Sequence, residues 1–227
     1  DPFGRLAGIA PGSGHRRVDQ APDAVGGQAD GQQCEEHGAE GLVGDLLEDG
    51  AADETGAESI AAILATCRQI LTIGSGADRP AARELALKIE EASWVPSAMR
   101  DLETFLHGHL PATDASTGLV LFLTDRDHRN ERVARARQAL AAANVVGLRA
   151  AAIVSRDVDA ALPAELTPAG RLVVDEAPEL AAPLAALLST VTPLQLLTER
   201  IARARGTNPD LIRRDDPTYR AAAEAAG

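Results

Sequence analysis

The sequence predicts an α/β fold of three layers, a parallel sheet with helices on both faces. Two observations carry that prediction. Four short apolar runs lie at 70–74 (ILTIG), 119–124 (LVLFLT), 150–155 (AAAIVS) and 172–175 (LVVD). Between them, apolar residues recur at helical spacing, as in Val133, Ala136, Leu140 and Ala143. Strands buried on both faces read as unbroken apolar runs, and a helix between two of them makes the βαβ crossover of a parallel sheet. With 227 residues, the chain is long enough for one or two domains with a buried core.

The elements follow in order. Residues 1–54 read as a Gly-rich, acidic segment of low order. The first 50 residues hold 11 glycines and 10 acidic residues against 3 basic ones, too little apolar surface to offset the entropy of ordering. Only a short helix around 42–47 is expected there. Residues 55–227 read as the folded domain. A helix is predicted over 58–68 and a strand over 70–74, running into Gly74-Ser75-Gly76. A second helix follows over 78–93, with Asp78 as its N-cap and Pro80 in the first turn, where a missing N–H does no harm. Further strands sit at 119–124, 150–155 and 172–175, and helices over 130–144 and 179–205. Pro193 should break or kink the last of these. Weakly patterned stretches leave room for a fifth strand. Right-handed crossovers then give a flavodoxin-like arrangement, in which ligands bind outside the carboxyl ends of the strands. The loops at 74–79, 124–130, 155–160 and 175–179 belong to that edge, and the helix after Pro80 is expected beside it.

Composition narrows the function. The formal net charge is −12, and the 22 basic residues comprise 21 arginines and a single lysine, Lys88. So acidic a chain lacks the basic footprint that nucleic acid or anionic lipid requires. Two cysteines, Cys34 and Cys67, cannot build a disulfide framework, which points to a reducing, cytoplasmic setting. No apolar run reaches 18 residues, and no leader is expected at the start.

Three constellations could carry chemistry. Glu84, Lys88 and Glu91 share one helix face, as a solvated ion-pair cluster or as a lysine positioning a carboxylate base. His107 and His109 flank Gly108, as loop histidines or as ligands lacking a third partner. Gly74-Ser75-Gly76 enters a helix N-terminus, either for tight packing or to cradle phosphate with backbone N–H groups. Cys34 and His37 form a C-x-x-H pair with no second pair, so no metal or cofactor is expected.

Taken in order, ILTIGSGADRPAARELALKIEEAS, LETFLHGH, PLQLLTERIARARGT and NPDLIRRDDP resemble the sugar isomerase (SIS) domain family. The likeness is strongest to the second SIS domain of glucosamine-fructose-6-phosphate aminotransferases and to relatives lacking a glutaminase domain. It implies phosphosugar binding and aldose–ketose isomerisation in the fructose-6-phosphate or glucosamine-6-phosphate class. By that match Glu91 is the base, Lys88 lies near the sugar, and His107 assists ring opening across a homodimer interface. Gly74, Ser75, Gly76 and Glu84 take substrate-binding positions. His109 stands where the family usually has proline, and Thr104 where it commonly has glutamate. Because Lys88 is the only lysine, the tail offers no amine for a Schiff base. The stretch 1–54 has one serine and no threonine, so it cannot be the Ser/Thr-rich first SIS domain that holds the phosphate in the family. The alternative readings are a regulatory sugar-phosphate-binding module that does not catalyse, and an inactive fragment.

Overall fold

The computed structural model describes residues 53–227, together with Gly41, Gly44 and Asp45. The low-order reading of 1–54, the Cys34–His37 pair and most of the expected helix at 42–47 therefore lie outside the described residues. The first described helix, α1 (Glu54–Leu64), starts four residues before its predicted start. Asp53 sets that start: its Oδ1 accepts the Gly56 N–H at 2.8 Å, satisfying a donor that the first helical turn leaves unpaired.

Five parallel strands form one sheet in the order β2-β1-β3-β4-β5. They are β1 (Gln69–Ile73), β2 (Ser97–Arg100), β3 (Thr117–Leu123), β4 (Arg149–Ser155) and β5 (Gly170–Val174). This is the flavodoxin-like order, with the chain reversing its direction of sheet growth between β1 and β3. The fifth strand is β2. It is four residues long and half-exposed, and it pairs only with β1, from Ile70 opposite Ser97 to Ile73 opposite Arg100.

Alternate strand residues feed two cores. Ile70, Val120, Phe122, Ile153 and Leu172 pack beneath α1, α2 (Arg79–Ser93) and the long helix α6 (Ala182–Arg205). Ile73, Leu121, Leu123, Ala152 and Val154 pack on the other face. That face is covered by α4 (Arg129–Val146), by α5 (Arg156–Ala161), and by a helical crossover that opens with α3 (Leu102–Thr104). The crossover continues as a π-helical turn, Phe105–His109, and a 3-10 turn, Leu110–Ala112.

Two local expectations are corrected. Pro193 does not break its helix: α6 runs through it for about three further turns, to Arg205. Leu194, Leu197 and Ile201 on the same stretch are buried in the core, and that packing outweighs one lost backbone bond. Asp78 does not cap α2. Its side chain turns instead to the end of β3, as described below. Beyond α6, which Gly206 ends in a left-handed conformation, lie a 3-10 turn, Pro209–Leu211, and α7 (Pro217–Ala225). No helix among the described residues is long and apolar enough to cross a membrane.

Candidate functional site

At the carboxyl ends of β1 and β3 the chain satisfies itself. The Asp78 carboxylate accepts the Thr124 N–H at 3.1 Å, the Thr124 hydroxyl at 2.6 Å and the Asp125 N–H at 3.3 Å. Asp78 is 1% exposed, and burial pushes its carboxyl above the ordinary range, opposed by the Thr124 bonds. Asp125 accepts the Ala77 N–H at 2.7 Å and pairs with Arg132. Burial pushes the Asp125 carboxyl up, but the Ala77 N–H, Arg132 and the Asp127 N–H outweigh it and hold it below the ordinary range. Of the three loop residues expected to hold phosphate, Gly74 donates its N–H to Arg100 O at 3.1 Å, and Ser75 Oγ accepts the Leu102 N–H at 3.2 Å. Gly76 takes φ +61°, and a Cβ there would collide with Arg132 and Asp125. A carboxylate of the protein thus sits against the loop where an external anion was expected.

The second constellation lies elsewhere. α2 runs antiparallel to β1, and its rise carries Glu91 roughly 20 Å along the helix axis from Asp78. Glu91 therefore lies by the amino ends of β1 and β2, not beside the carboxyl edge as expected. There Ser97 N–H donates to Glu90 Oε1 at 3.1 Å, and Ile70 N–H to Pro96 O at 3.0 Å. Lys88 Nζ stands 2.7 Å from Glu91 Oε2 and 3.8 Å from Glu84 Oε1, so all three predicted residues come together. The hydrogen bond to Glu91 raises the Lys88 ammonium above its ordinary value, with a smaller contribution from the Glu84 charge. Lys88 and Glu91 are 31% and 34% exposed, open enough for a ligand to reach.

Glu91 stands on the wall between two pockets. One, of about 350 Å³, is lined by Glu90, Glu91, Trp94, Ile212, Arg213 and Tyr219 among others. The other, of about 310 Å³, is lined by Lys88, Glu91, Gln195, Thr198 and Asp210 among others. The C-terminal segment reaches this end because Thr207 Oγ1 donates to Ala92 O at 2.7 Å and Arg205 Nε to Ser93 O at 3.0 Å. Trp94, Thr198, Arg213 and Tyr219 were not singled out in the sequence. The only signal for the tail was its motif likeness, which gives no hint of which side chains turn inward.

His107 lies on the π-helical turn and is 72% exposed. Arg135 Nη2 stands 2.9 Å from its Nε2, and Glu103 Oε2 3.6 Å. An arginine only donates, so Nε2 accepts and the ring proton sits on Nδ1. The neighbouring Phe105 and Leu106 pack in the core opposite the one that α2 covers. His107 and Glu91 therefore occupy opposite faces of the sheet and do not meet within one chain. His109 is half-exposed on the same turn, without a side-chain hydrogen bond among the described residues. Among the described residues no three His, Cys, Asp or Glu side chains converge as metal ligands.

Residues 63–161 match the family model of the SIS domain, a stretch that includes β1 to β4, the Lys88–Glu91 helix and the His107 turn. The resemblance read from the motifs holds over that stretch. Among solved structures, the C-terminal domain of glucosamine-fructose-6-phosphate aminotransferase from Francisella tularensis is 19% identical with a TM-score of 0.66, over 80% of this chain and 48% of that one. Tagatose-6-phosphate ketose/aldose isomerase from Escherichia coli is 21% identical with a TM-score of 0.52, over 69% and 40%. A further Escherichia coli protein, solved with a sugar-phosphate ligand, is 16% identical with a TM-score of 0.55, over 77% and 91%. These likenesses establish the fold, and the chain spans about half the length of the first of these structures. No curated protein matches the chain.

Proposed function

We propose that this chain binds a phosphosugar of the fructose-6-phosphate or glucosamine-6-phosphate class and interconverts its aldose and ketose forms, with Glu91 as the base. The observation that carries this reading is the Lys88–Glu91 pair at 2.7 Å on the wall between two open pockets. In the aldose-to-ketose direction, the Glu91 carboxylate takes the proton from C2. The C–H electrons form the C1=C2 bond of an enediol, and the C1 oxygen gains a proton as the C2 oxygen loses one. Glu91 then returns its proton to C1. One carboxylate serves both carbons because they are adjacent. Lys88 holds that carboxylate in place and offers positive charge beside the oxygens where negative charge develops.

Ring opening needs a proton relay to the ring oxygen. His107, with its ring proton on Nδ1, suits that task. Since it lies on the far face of its own sheet, it acts from a second copy, which makes a homodimer the working unit. The same placement favours a second reading for a lone copy, which would bind the sugar phosphate without turning it over.

The test is Glu91→Gln. Turnover of fructose 6-phosphate or glucosamine 6-phosphate should fall by about 10²- to 10⁴-fold, the usual range for a general base. Affinity for the sugar should stay within about twofold, because the amide keeps the shape of the carboxylate. Unchanged turnover would remove Glu91 from the reaction. Wild-type binding without turnover would leave the binding-module reading in its place.

A further inference from the structure

We infer that Arg213 is the anchor for the phosphate of the ligand, held in the Trp94–Tyr219 pocket by stacking and not by ion pairing. Three observations converge on it. First, the Arg213 guanidinium lies 4.8 Å from the Trp94 ring centroid and 4.0 Å from that of Tyr219. Two aromatic rings hold the cation in place through their π-faces. Guanidinium faces carry no donors. All five N–H groups point outward in the plane, so stacking orients the fork without using it.

Second, that fork has no partner. Most of the better-buried arginines among the described residues engage a carboxylate: Arg129, Arg132, Arg171 and Arg200 each do so. Arg213 is half-buried, yet among the described residues no carboxylate lies within 4 Å of it and no acceptor takes its side-chain N–H groups. The two carboxylates on the same pocket wall are committed elsewhere, Glu91 to Lys88 and Glu90 to the Ser97 N–H. A planar, preorganised and unpaired guanidinium beside an open cavity is the arrangement that takes a phosphate monoester through two parallel N–H···O bonds.

Third, the backbone is strained around this pocket. Among the described residues four non-glycine residues adopt a left-handed conformation, and three of them line it: Trp94 (φ +59°), Ile212 (φ +44°) and Arg213 (φ +61°). For a β-branched residue such as Ile212 this conformation is a genuine outlier. Strain of this kind persists where the surroundings over-determine it, and it gathers at ligand clamps. The loop at 74–76, the other place where a phosphate was expected, is turned inward on Asp125 and its own neighbours.

The phosphosugar reading supplies the identity of the ester, but the anion site stands on Arg213 alone and is tested without a sugar. The probe is inorganic phosphate, with chloride at matched ionic strength as the control. Trp94 is the only tryptophan in the chain, so its emission reports directly on this pocket. Calorimetry provides a second readout that does not depend on the indole. Wild type should bind phosphate saturably with a change in Trp94 emission. Arg213→Gln should weaken binding at least about tenfold, and Arg213→Lys should recover little of it, because a point charge does not reproduce the fork. Glu91→Gln should leave phosphate affinity within about twofold, so loss of catalysis and loss of the anion site separate. Phosphate affinity in Arg213→Gln equal to wild type, or wild-type emission and heats no different from the chloride control, would overturn the assignment.

Discussion

Acid and base meet at two places in this chain, and they meet differently. At the carboxyl ends of β1 and β3, Asp78, Asp125 and Arg132 are covered, and their bonds run to one another and to nearby backbone. At the far end of α2, Lys88 and Glu91 are about one-third exposed, and the stacked Arg213 beside them pairs with no described carboxylate. The first arrangement holds the sheet and its loops together and leaves little for a ligand to bind. The second leaves donors and acceptors facing open pockets. The general rule for open α/β sheets directs attention to the carboxyl edge at the switch point between β1 and β3. In this chain the side chains there have already taken the place of a ligand.

The contrast can be tested by removing what each region depends on. The greatest loss of stability is expected from Asp78→Ala, which leaves two buried N–H groups and a hydroxyl without their acceptor. Each lost acceptor costs about 1–3 kcal/mol, and neighbouring groups partly compensate, so a drop of roughly 2–4 kcal/mol in urea unfolding follows. Phosphate affinity should not move. A loss below about 1 kcal/mol would show that the network is not what holds this edge.

Acid titration probes the same difference at a smaller scale. Asp125 is held below the ordinary carboxylate range in the fold, so its stabilisation is fully present above that range and is lost as pH falls through the lowered value. Asp78 has the opposite sign: its raised carboxyl contributes most at low pH, and that contribution is lost as pH rises through the raised value. Asp125→Asn should therefore lower the thermal midpoint at neutral pH, by about 1–2 kcal/mol of stability, and flatten the decline below about pH 4. An unchanged acid limb would mean that other carboxylates govern it. The least change belongs to Glu84→Gln. At 3.8 Å from Lys88 and well exposed, this pair should contribute less than about 0.5 kcal/mol, and its loss should shift KM by no more than about twofold.

The layers and four of the five strands were legible because burial on both faces writes itself as unbroken apolar text. β2 was not, since Ser-Ala-Met-Arg is an edge strand with half-exposed side chains and no apolar run. The crossover at 102–112 was equally hidden. It mixes α, π and 3-10 turns, and no single period runs through it. The Glu84, Lys88 and Glu91 cluster was legible from helical spacing alone. Its position in the fold was not, because spacing fixes a face of a helix and says nothing of which end of the sheet that face adjoins. Asp78 shows a related limit. It stands where an N-cap belongs, but its partners Thr124 and Asp125 lie 46 and 47 residues away and outcompete the local role. Arg213 was out of reach for the same reason, since a stacked arginine and a solvated one are the same letter.

Trp94 ends α2 in a conformation that glycine adopts without penalty and tryptophan does not. Putting glycine there would relieve the backbone and remove one of the two rings that hold the guanidinium. Heat resistance and ligand capture thus pull this position toward different residues. A laboratory lineage selected only to survive warming would be drawn to the smaller one, and would emerge sturdier but with a blunted grip on its anion.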